Sequence, residues 1–329
     1  MNKPTKTILS GITPSGRLHL GNYFGAMRQH LEMQHEGNAY YFIANYHSLT
    51  ALQDGDAVAA NSLHIAMDYL ALGLDPKACT FFLQSDVPQV AELAWILGTH
   101  CPVSLMEKGV AYKDKIAAGL SPNIGLFTYP ILQAADILIY DADLVPVGAD
   151  QKQNIEICRD LAGKLNHATG EELLKLPEPY IVKEVAVVPG TDGRKMSKSY
   201  HNTIGIFEEG KSLRKQVMSI QTDSAGLEDS KDPDSCNVYA LIRLFADPDT
   251  RRDIAERYRE GGYGYGDAKK ALLELMSEAF GEARERRKEL EKHPDDVCDI
   301  LRDGGERARE RAGEVMSRVR SATGLLTTY

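Results

Sequence analysis

The sequence predicts an α/β protein: a doubly wound parallel sheet that carries an insertion and is followed by a helical C-terminal domain. Two observations support this. Up to residue 188, short apolar runs alternate with segments of helical periodicity, which is typical of strand–helix–strand units. From residue 207 onward, apolar residues recur with helical spacing.

Composition and charge describe an ordinary globular chain. Of its 329 residues, 43% are hydrophobic and 26% are charged, which favours about two domains. The net charge of −9 argues against general nucleic-acid binding, although a local basic patch could still hold RNA. Apolar runs are too short for a membrane span or a signal peptide, so we expect a cytoplasmic protein with no membrane partner.

The five cysteines predict neither disulfides nor a metal site. They are scattered along the chain, and no Cys-x-x-Cys pair occurs. Zinc ribbons and disulfide frameworks need characteristic cysteine spacings. We therefore expect no protein-bound zinc, iron–sulfur cluster or other metal.

The first element is a strand, a glycine-containing turn and a helix. Thr7 to Gly11 is a short apolar run, Thr13 to Gly16 has turn composition, and the residues after Leu20 have helical spacing. Free N–H groups at such a helix start favour phosphate. Gly21 would let a nucleotide approach the backbone closely. His19 can donate to a phosphate oxygen, although a lone histidine there is more often a cap or a core residue.

The predicted sheet continues with further strands and helices. Strands are expected at 39–45, 80–83, 144–147 and 181–188, and helices at 56–72, after Pro88, over 129–140 and after Gln151. Residues 100–125 break the alternation as an insertion, with a loop-like stretch from Gly119 to Gly125. Ligands bind beyond the carboxyl ends of such strands, where Gly11 to Gly16, His47 and Ser85-Asp86 would converge.

The helix over 129–140 is apolar on nearly every side but carries one polar stripe. Tyr129, Gln133 and Asp136 are spaced at i, i+4 and i+7, which places them on one face. A buried carboxylate needs a hydrogen-bond donor. The protein itself could supply that donor to Asp136, but three polar groups in one stripe favour a ligand.

A second phosphate-binding element is residues 194–199, here named the lysine loop. A proline and two glycines mark irregular backbone before it. Lys195 and Lys198 are flexible point charges that can follow a phosphate as its charge moves, and Ser197 and Ser199 can add hydrogen bonds. Two lysines alone are more often a solvated surface loop. The upstream phosphate-binding turn makes nucleotide binding the better interpretation.

The C-terminal part is predicted to be helical. Helices are expected near 207–220, 237–246, 249–260, 267–290 and 294–322, with a hinge from Gly261 to Gly266. Their dense Glu/Arg pairs are mostly solvated faces. We expect a Rossmann-like catalytic domain over residues 1–204, including the insertion, and a helical domain over residues 205–329.

The two phosphate-binding elements, in this order, resemble the two signature motifs of class I aminoacyl-tRNA synthetases. Pro14 to Asn22 (PSGRLHLGN) looks like the first motif and Lys195 to Ser199 (KMSKS) like the second. Within the class, the sequence is most similar to the tryptophanyl-tRNA synthetase family over nearly the whole chain. The similar stretches are PSGRLHLGNYFGA (14–26), YHSLT (46–50), residues 126–140, VPVGADQKQNIE (145–156), IQTDS (220–224) and GYGYGDAK (262–269).

The sequence departs from the family pattern at three positions. Asn45 stands where Asp is frequent, Ala149 replaces a frequent acidic residue, and Gln133 stands where many bacterial members have Met. The stripe of Tyr129, Gln133 and Asp136 also resembles the substrate helix of tyrosyl-tRNA synthetases, so a tyrosyl enzyme is one alternative. A non-catalytic paralogue that binds amino acid or RNA as a regulator is another, and the two intact motifs argue against it.

The resemblance implies a tryptophan–tRNA ligase that works in two steps. Tryptophan attacks the α-phosphorus of Mg-ATP, giving tryptophanyl-adenylate and pyrophosphate. The terminal ribose of tRNA(Trp) then accepts the aminoacyl group. The resemblance also implies a homodimer whose helical C-terminal domain reads the anticodon.

The resemblance further implies roles for individual residues. Three would be catalytic: His19, Lys195 and Lys198. ATP would bind to Thr13, Pro14, Ser15, Gly21, Asn22, Gly148, Ala149, Asp150, Val187, Lys195, Met196, Ser197, Lys198 and Ser199. Tryptophan would bind to His47, Tyr129, Gln133, Asp136 and Gln151. Asp136 would accept the indole N–H, and Tyr129 and Gln151 would hold the α-ammonium group.

Overall fold

The protein is described by a computed structural model that covers residues 5–107, 110–117, 119, 121–148, 151–181 and 188–325. Its strands are β1 (Thr7–Ile12), β2 (Asn38–Ile43), β3 (Cys79–Leu83), β4 (Leu144–Val147) and β5 (Glu178–Ile181). They form one sheet in the order β3-β2-β1-β4-β5, and every neighbouring pair is parallel. The predicted doubly wound parallel sheet is confirmed. The strand order reverses between β1 and β4, which is where ligands of such sheets bind.

Helices flank the sheet and build the C-terminal region. After β1, one helical rod combines α1 (Leu20–Asn22), a π-helical turn (Tyr23–Met27) and α2 (Arg28–Met33). The next helices are α3 (Asn45–Ser48), α4 (Gly55–Ala71), α5 (Gln89–Thr99), α6 (Val103–Glu107), α7 (Val110–Ala117), α8 (Ile124–Leu138) and α9 (Lys152–Thr169). The C-terminal helices are α10 (Gly210–Met218), α11 (Asn237–Phe245), α12 (Pro248–Glu260), α13 (Tyr265–Lys292) and α14 (Pro294–Thr323).

Both faces of the sheet are buried, because successive strand residues point to opposite sides. Tyr41 and Phe81 pack into one core with residues of α4 and α13. Phe42 and Phe82 pack into a second core with residues of α8, α9 and α14. Strands that are buried on both faces read as nearly continuous apolar runs. This explains why the sequence pattern located β2 and β3 correctly.

The helical stretch after the insertion begins earlier than its composition suggests. The loop-like stretch predicted for 119–125 is wrong at its end, because α8 starts at Ile124. The Asn123 side chain accepts a hydrogen bond from the backbone N–H of Leu126 at 2.8 Å and so caps the helix. In the predicted strand 181–188, β5 ends at Ile181, and residues 182–187 lie outside the described residues.

The last helix, α14, returns to the sheet. A Cβ atom on its Gly304 would lie 1.8 Å from the carbonyl oxygen of Phe81, so only glycine allows this close approach to β3. Arg320 pairs with Glu92 on α5. The domain boundary at residue 204 stays a prediction, and α14 contributes to the core of the sheet region. Among the described residues, we find no helix with the length and apolar character needed to cross a membrane.

Candidate active site

A cavity of about 1180 Å³ opens at the carboxyl ends of the central strands. Its wall brings together predicted site residues from separate parts of the chain. They are Thr13, Pro14 and Ser15 after β1, His47 on α3, Tyr129, Gln133 and Asp136 on α8, Gly148 after β4, and Gln151 before α9. The polar stripe of α8 therefore faces this cavity.

Asp136 lies at the base of the cavity with only 2% of its surface exposed. Nε2 of Gln84 donates to both carboxylate oxygens, at 2.8 Å and 2.9 Å. Nε2 of His47 lies 2.9 Å from Oδ2, and because a carboxylate only accepts, His47 donates from Nε2. The protein itself therefore supplies donors to Asp136, which is the alternative that the sequence left open, and a further donor from a ligand stays a prediction. Burial raises the pKa of Asp136, and the hydrogen bonds from His47 and Gln84 oppose that rise.

The ends of β2 and β3 are tied together beside this carboxylate. Asn45 donates from Nδ2 to Oγ of Ser85 at 2.7 Å, and its Oδ1 accepts from the Ser85 backbone N–H at 3.0 Å. An aspartate at position 45 could accept from both of these Ser85 groups. The departure from the family pattern at Asn45 therefore keeps the tie between the two strands.

Of the other polar residues in the α8 stripe, Gln133 contacts residues at the start of α9 and Tyr129 contacts His47. Nε2 of Gln133 donates to Oε1 of Gln151 at 3.3 Å. The Asn154 amide donates to Oε1 of both glutamines, at 3.0 Å and 2.9 Å. The Tyr129 ring lies edge-on to the His47 ring, with centroids 6.2 Å apart. All five residues predicted to bind tryptophan therefore line the same cavity, in two groups of contacting side chains.

The first signature motif forms the start of the helical rod. His19 is 7% exposed, and its backbone N–H donates to Oδ1 of Asn22 at 3.1 Å. Its Nδ1 has no hydrogen-bond partner among the described residues. A Cβ atom on Gly21 would lie 3.0 Å from the His19 ring and 3.4 Å from Met196, so the motif packs directly on the lysine loop. Burial, followed by the charge of Lys198, lowers the pKa of His19 to about 4, so its ring is neutral near pH 7.

The lysine loop is held by Asn202, which is 1% exposed. Its Oδ1 accepts from the Ser197 backbone N–H at 2.8 Å. Its Nδ2 donates to the Lys195 carbonyl oxygen at 3.2 Å and to Asp192 at 2.7 Å. One asparagine thus fixes the backbone on both sides of Met196, which is itself buried.

The charged side chains of the loop lie in different surroundings. Nζ of Lys198 lies 2.8 Å from the Ser15 carbonyl oxygen, so Lys198 touches the first signature motif. Burial lowers the pKa of Lys198, and the charge of Asp68 opposes this shift. Lys195 is exposed, and the Ser197 and Ser199 hydroxyls lie 2.8 Å apart. Three predicted ATP-binding residues, Ala149, Asp150 and Val187, lie outside the described residues.

Comparison with known proteins identifies the family. Residues 1–281 match the family described as class I tRNA synthetases for W and Y. The chain belongs to this family. The match covers the sheet, the cavity, the lysine loop and most of the helical region. The resemblance inferred from the two signature motifs is therefore confirmed.

Individual relatives of this synthetase point to the tryptophan branch. The tryptophan–tRNA ligase of Fusobacterium nucleatum is 52% identical over 321 residues, 98% of each chain. That of Rhodopirellula baltica is 51% identical over 97% of this chain and 99% of its own. The crystal structure of Campylobacter jejuni tryptophanyl-tRNA synthetase complexed with ADP and tryptophan has a TM-score of 0.92 and 49% identity. The alignment of the two structures covers 97% of this chain and 100% of the Campylobacter jejuni chain.

Three residues of this synthetase site escaped the sequence analysis: Gln84, Asn154 and Asn202. Gln84 directly follows β3, one position before the Ser85-Asp86 pair that was expected at the site. Asn154 lies about one helical turn after Gln151, and this spacing could have indicated that both side chains face the site. Asn202 follows the signature motif but belongs to no pattern of its own, so only its contacts show what it does.

Proposed function

We propose that this cavity carries out tryptophan–tRNA ligation: ATP-dependent formation of tryptophanyl-adenylate, followed by transfer of the tryptophanyl group to tRNA(Trp). One observation carries the proposal. The two signature segments touch through Lys198 and Ser15, and Ser15 lines the cavity, in a chain that is 49–52% identical, over nearly its full length, to enzymes named tryptophan–tRNA ligase.

For the adenylation step, we assign the nucleotide to the first signature motif and the lysine loop. Thr13 to Ser15 would contact ATP near its phosphates, and Gly21 and Asn22 would approach its adenosine. His19, which is neutral near pH 7, would donate to a phosphate oxygen. Lys195 and Lys198 would follow the leaving pyrophosphate, because catalysis of phosphoryl chemistry consists mainly of positioning and charge stabilisation. The substrate form is Mg-ATP, in which phosphate oxygens hold the metal ion.

For tryptophan, we assign the indole N–H to Asp136. An ionised carboxylate has about four acceptor positions. Gln84 and His47 occupy three of them, two on Oδ2 and one on Oδ1. The remaining position on Oδ1 would accept the indole N–H, while His47 lines the pocket and Tyr129 and Gln151 hold the α-ammonium group. The hydrogen bonds that Gln133 and Asn154 make with Gln151 would keep Gln151 in place.

We further propose that the enzyme is a cytoplasmic homodimer whose C-terminal helices read the anticodon of tRNA(Trp). Exposed apolar side chains would supply the surface for a second copy of the chain. Trp95 is 76% exposed, Val103 66% and Ile124 77%, and they lie on α5, α6 and α8, which pack together. Light scattering should give about twice the chain mass of 36.3 kDa. A mass near that of one chain would overturn the homodimer.

The deciding experiment is amino-acid-dependent exchange of pyrophosphate into ATP, with tryptophan and tyrosine compared in parallel. We expect exchange with tryptophan alone. Exchange with tyrosine instead would keep the chemistry but change the substrate. Absence of exchange with either amino acid, with and without tRNA, would support the non-catalytic paralogue and overturn the proposal.

A further inference from the structure

Gln84 is a buried residue that lies between the Asp136 carboxylate and the first turn of α3. It is 1% exposed. Its Nε2 donates to both Asp136 oxygens, at 2.8 Å and 2.9 Å. Its Oε1 accepts from the backbone N–H groups of Tyr46 at 3.0 Å and His47 at 3.4 Å. Every polar atom of the side chain is therefore engaged within the protein.

These contacts allow only one orientation of the amide. If the Gln84 amide were reversed, its oxygen would face the Asp136 carboxylate, and its NH₂ group would face two backbone donors. The adjacent backbone is also held, since Ser85 is tied to Asn45 through both its N–H and its hydroxyl. Contacts within the protein thus fix a hydrogen-bond donor toward Asp136.

We propose that Gln84 is the positioning residue that sets the selectivity for tryptophan. By donating to both oxygens of Asp136, it holds the carboxylate in the orientation that leaves one acceptor position on Oδ1 for the indole N–H. This inference rests on the proposed function of the cavity and names a determinant of its substrate choice. Gln84 acts through Asp136 and does not line the cavity itself.

The charge state of Asp136 supports this role. Burial raises the pKa of Asp136, and the hydrogen bond from Gln84 is one of the contacts that oppose the rise. Without that donor, the carboxyl group would take up a proton at higher pH and lose its character as a pure acceptor. Among the described residues, the titratable groups near Asp136 include His47 on α3 and Tyr140 just after α8, and Tyr129 packs against His47. Burial raises the pKa of Tyr140, so its phenol stays neutral.

The first test separates the indole N–H from the rest of the substrate. In the exchange assay, kcat/KM is measured for tryptophan and for its sulfur isostere, 3-benzothienylalanine, which lacks the N–H. The wild-type enzyme should prefer tryptophan. In Gln84→Met, this preference should fall by about tenfold or more, because the donor that orients Asp136 is lost. The kcat/KM for the isostere should change by less than about threefold, since it makes no such hydrogen bond.

Gln34 provides a matched control. It is also a buried glutamine, 5% exposed, and it makes three hydrogen bonds, to the carbonyls of Leu31 and Gly73 and from the N–H of Asp75. Gln34→Met should lower the melting temperature but keep the wild-type preference for tryptophan. If Gln84→Met lowers kcat/KM equally for both substrates, Gln84 is merely structural and the inference is overturned.

A second variant keeps the shape of the side chain. In the Gln84→Glu variant, the carboxyl group at position 84 can donate to Asp136 only when one of the two carboxyl groups carries a proton. Its preference for tryptophan over the isostere should therefore recover by about tenfold or more between pH 8 and pH 6. The wild-type enzyme, measured over the same pH range, is the reference. A preference in the variant that does not change with pH relative to wild type would count against the inference. Loss of exchange in the wild-type enzyme would instead count against the proposed function.

Discussion

The ammonium nitrogen of Lys198 lies 2.8 Å from the carbonyl oxygen of Ser15, across 183 positions of sequence. This contact joins the two signature segments directly. Burial lowers the pKa of Lys198, and the charge of Lys198 adds to the effect of burial on the pKa of His19. A phosphate oxygen close to Ser15 would therefore meet a cation that is already in place.

We expect Lys195→Ala to slow tryptophan adenylation by about 100-fold while tryptophan affinity changes little. The reason is that loss of one group that stabilises transition-state charge costs roughly 3 kcal/mol. Single-turnover formation of the adenylate measures the rate, and calorimetric titration measures the affinity. Lys211→Ala removes an exposed cation on α10 and should change neither. An equal loss of rate and affinity in Lys195→Ala would contradict the assigned role.

Asp136→Ala should collapse the discrimination between tryptophan and phenylalanine. A site built for a hydrogen bond can reject a ligand that lacks the donor by about 10⁴ or more, and the variant loses that acceptor. The ratio of kcat/KM values in the exchange assay measures this. Asp68→Ala is the control, because Asp68 is also a buried carboxylate but pairs with Arg287. Discrimination that survives in Asp136→Ala would make Asp136 a structural residue.

Asn202→Ala should raise the KM for ATP and lower the adenylation rate, each by about tenfold, because the loop loses two hydrogen bonds and Asp192 loses a third. Tryptophan affinity should stay the same. Asn166→Ala removes an asparagine that bonds to the backbone of Leu174 at 2.8 Å in both directions, away from the cavity. That control should leave the KM for ATP unchanged. A wild-type KM in Asn202→Ala would show that the loop is positioned without Asn202.

Stability should fall below neutral pH partly because of His30. Burial lowers its pKa from 6.5 to about 4, and its Nδ1 lies 2.7 Å from the Tyr69 hydroxyl. The unfolded chain binds the proton more tightly, so the contribution of His30 is present above pH 6.5 and is lost as the pH falls to about 4. Its full size is about 3 kcal/mol. Burial also raises the pKa of Asp68 to about 6, which acts in the opposite direction.

Denaturant unfolding of His30→Gln between pH 7 and pH 4.5 measures this contribution. The variant should lose less unfolding free energy over that range than the wild-type protein, by about 2–3 kcal/mol. His35→Gln, at an exposed histidine, should follow the wild-type slope. Identical slopes for His30→Gln and wild type would show that burial does not suppress protonation of His30.

Much of the fold could be predicted from the sequence because its signals are local. Strands such as β3 and helices such as α4 follow from apolar periodicity and from the turn residues that flank them. The two signature motifs are continuous segments, so their residues can be recognised without knowing where the chain goes next. The N-cap of α8 at Asn123 was missed, because residues of loop-like composition can also begin a helix.

The contacts that complete the site could not be predicted from local sequence patterns. Gln84 and Asp136 are 52 positions apart, and nothing in the sequence says which donor reaches a buried carboxylate. Likewise, the packing of Gly304 on Phe81 depends on how the last helix returns to the sheet. The amino-acid sequence by itself determined the class of fold, the two nucleotide segments and the polar stripe of α8. Only the tertiary structure decided which side chains hold that stripe and the lysine loop, because hydrogen bonds between distant residues form only once packing has brought their atoms together.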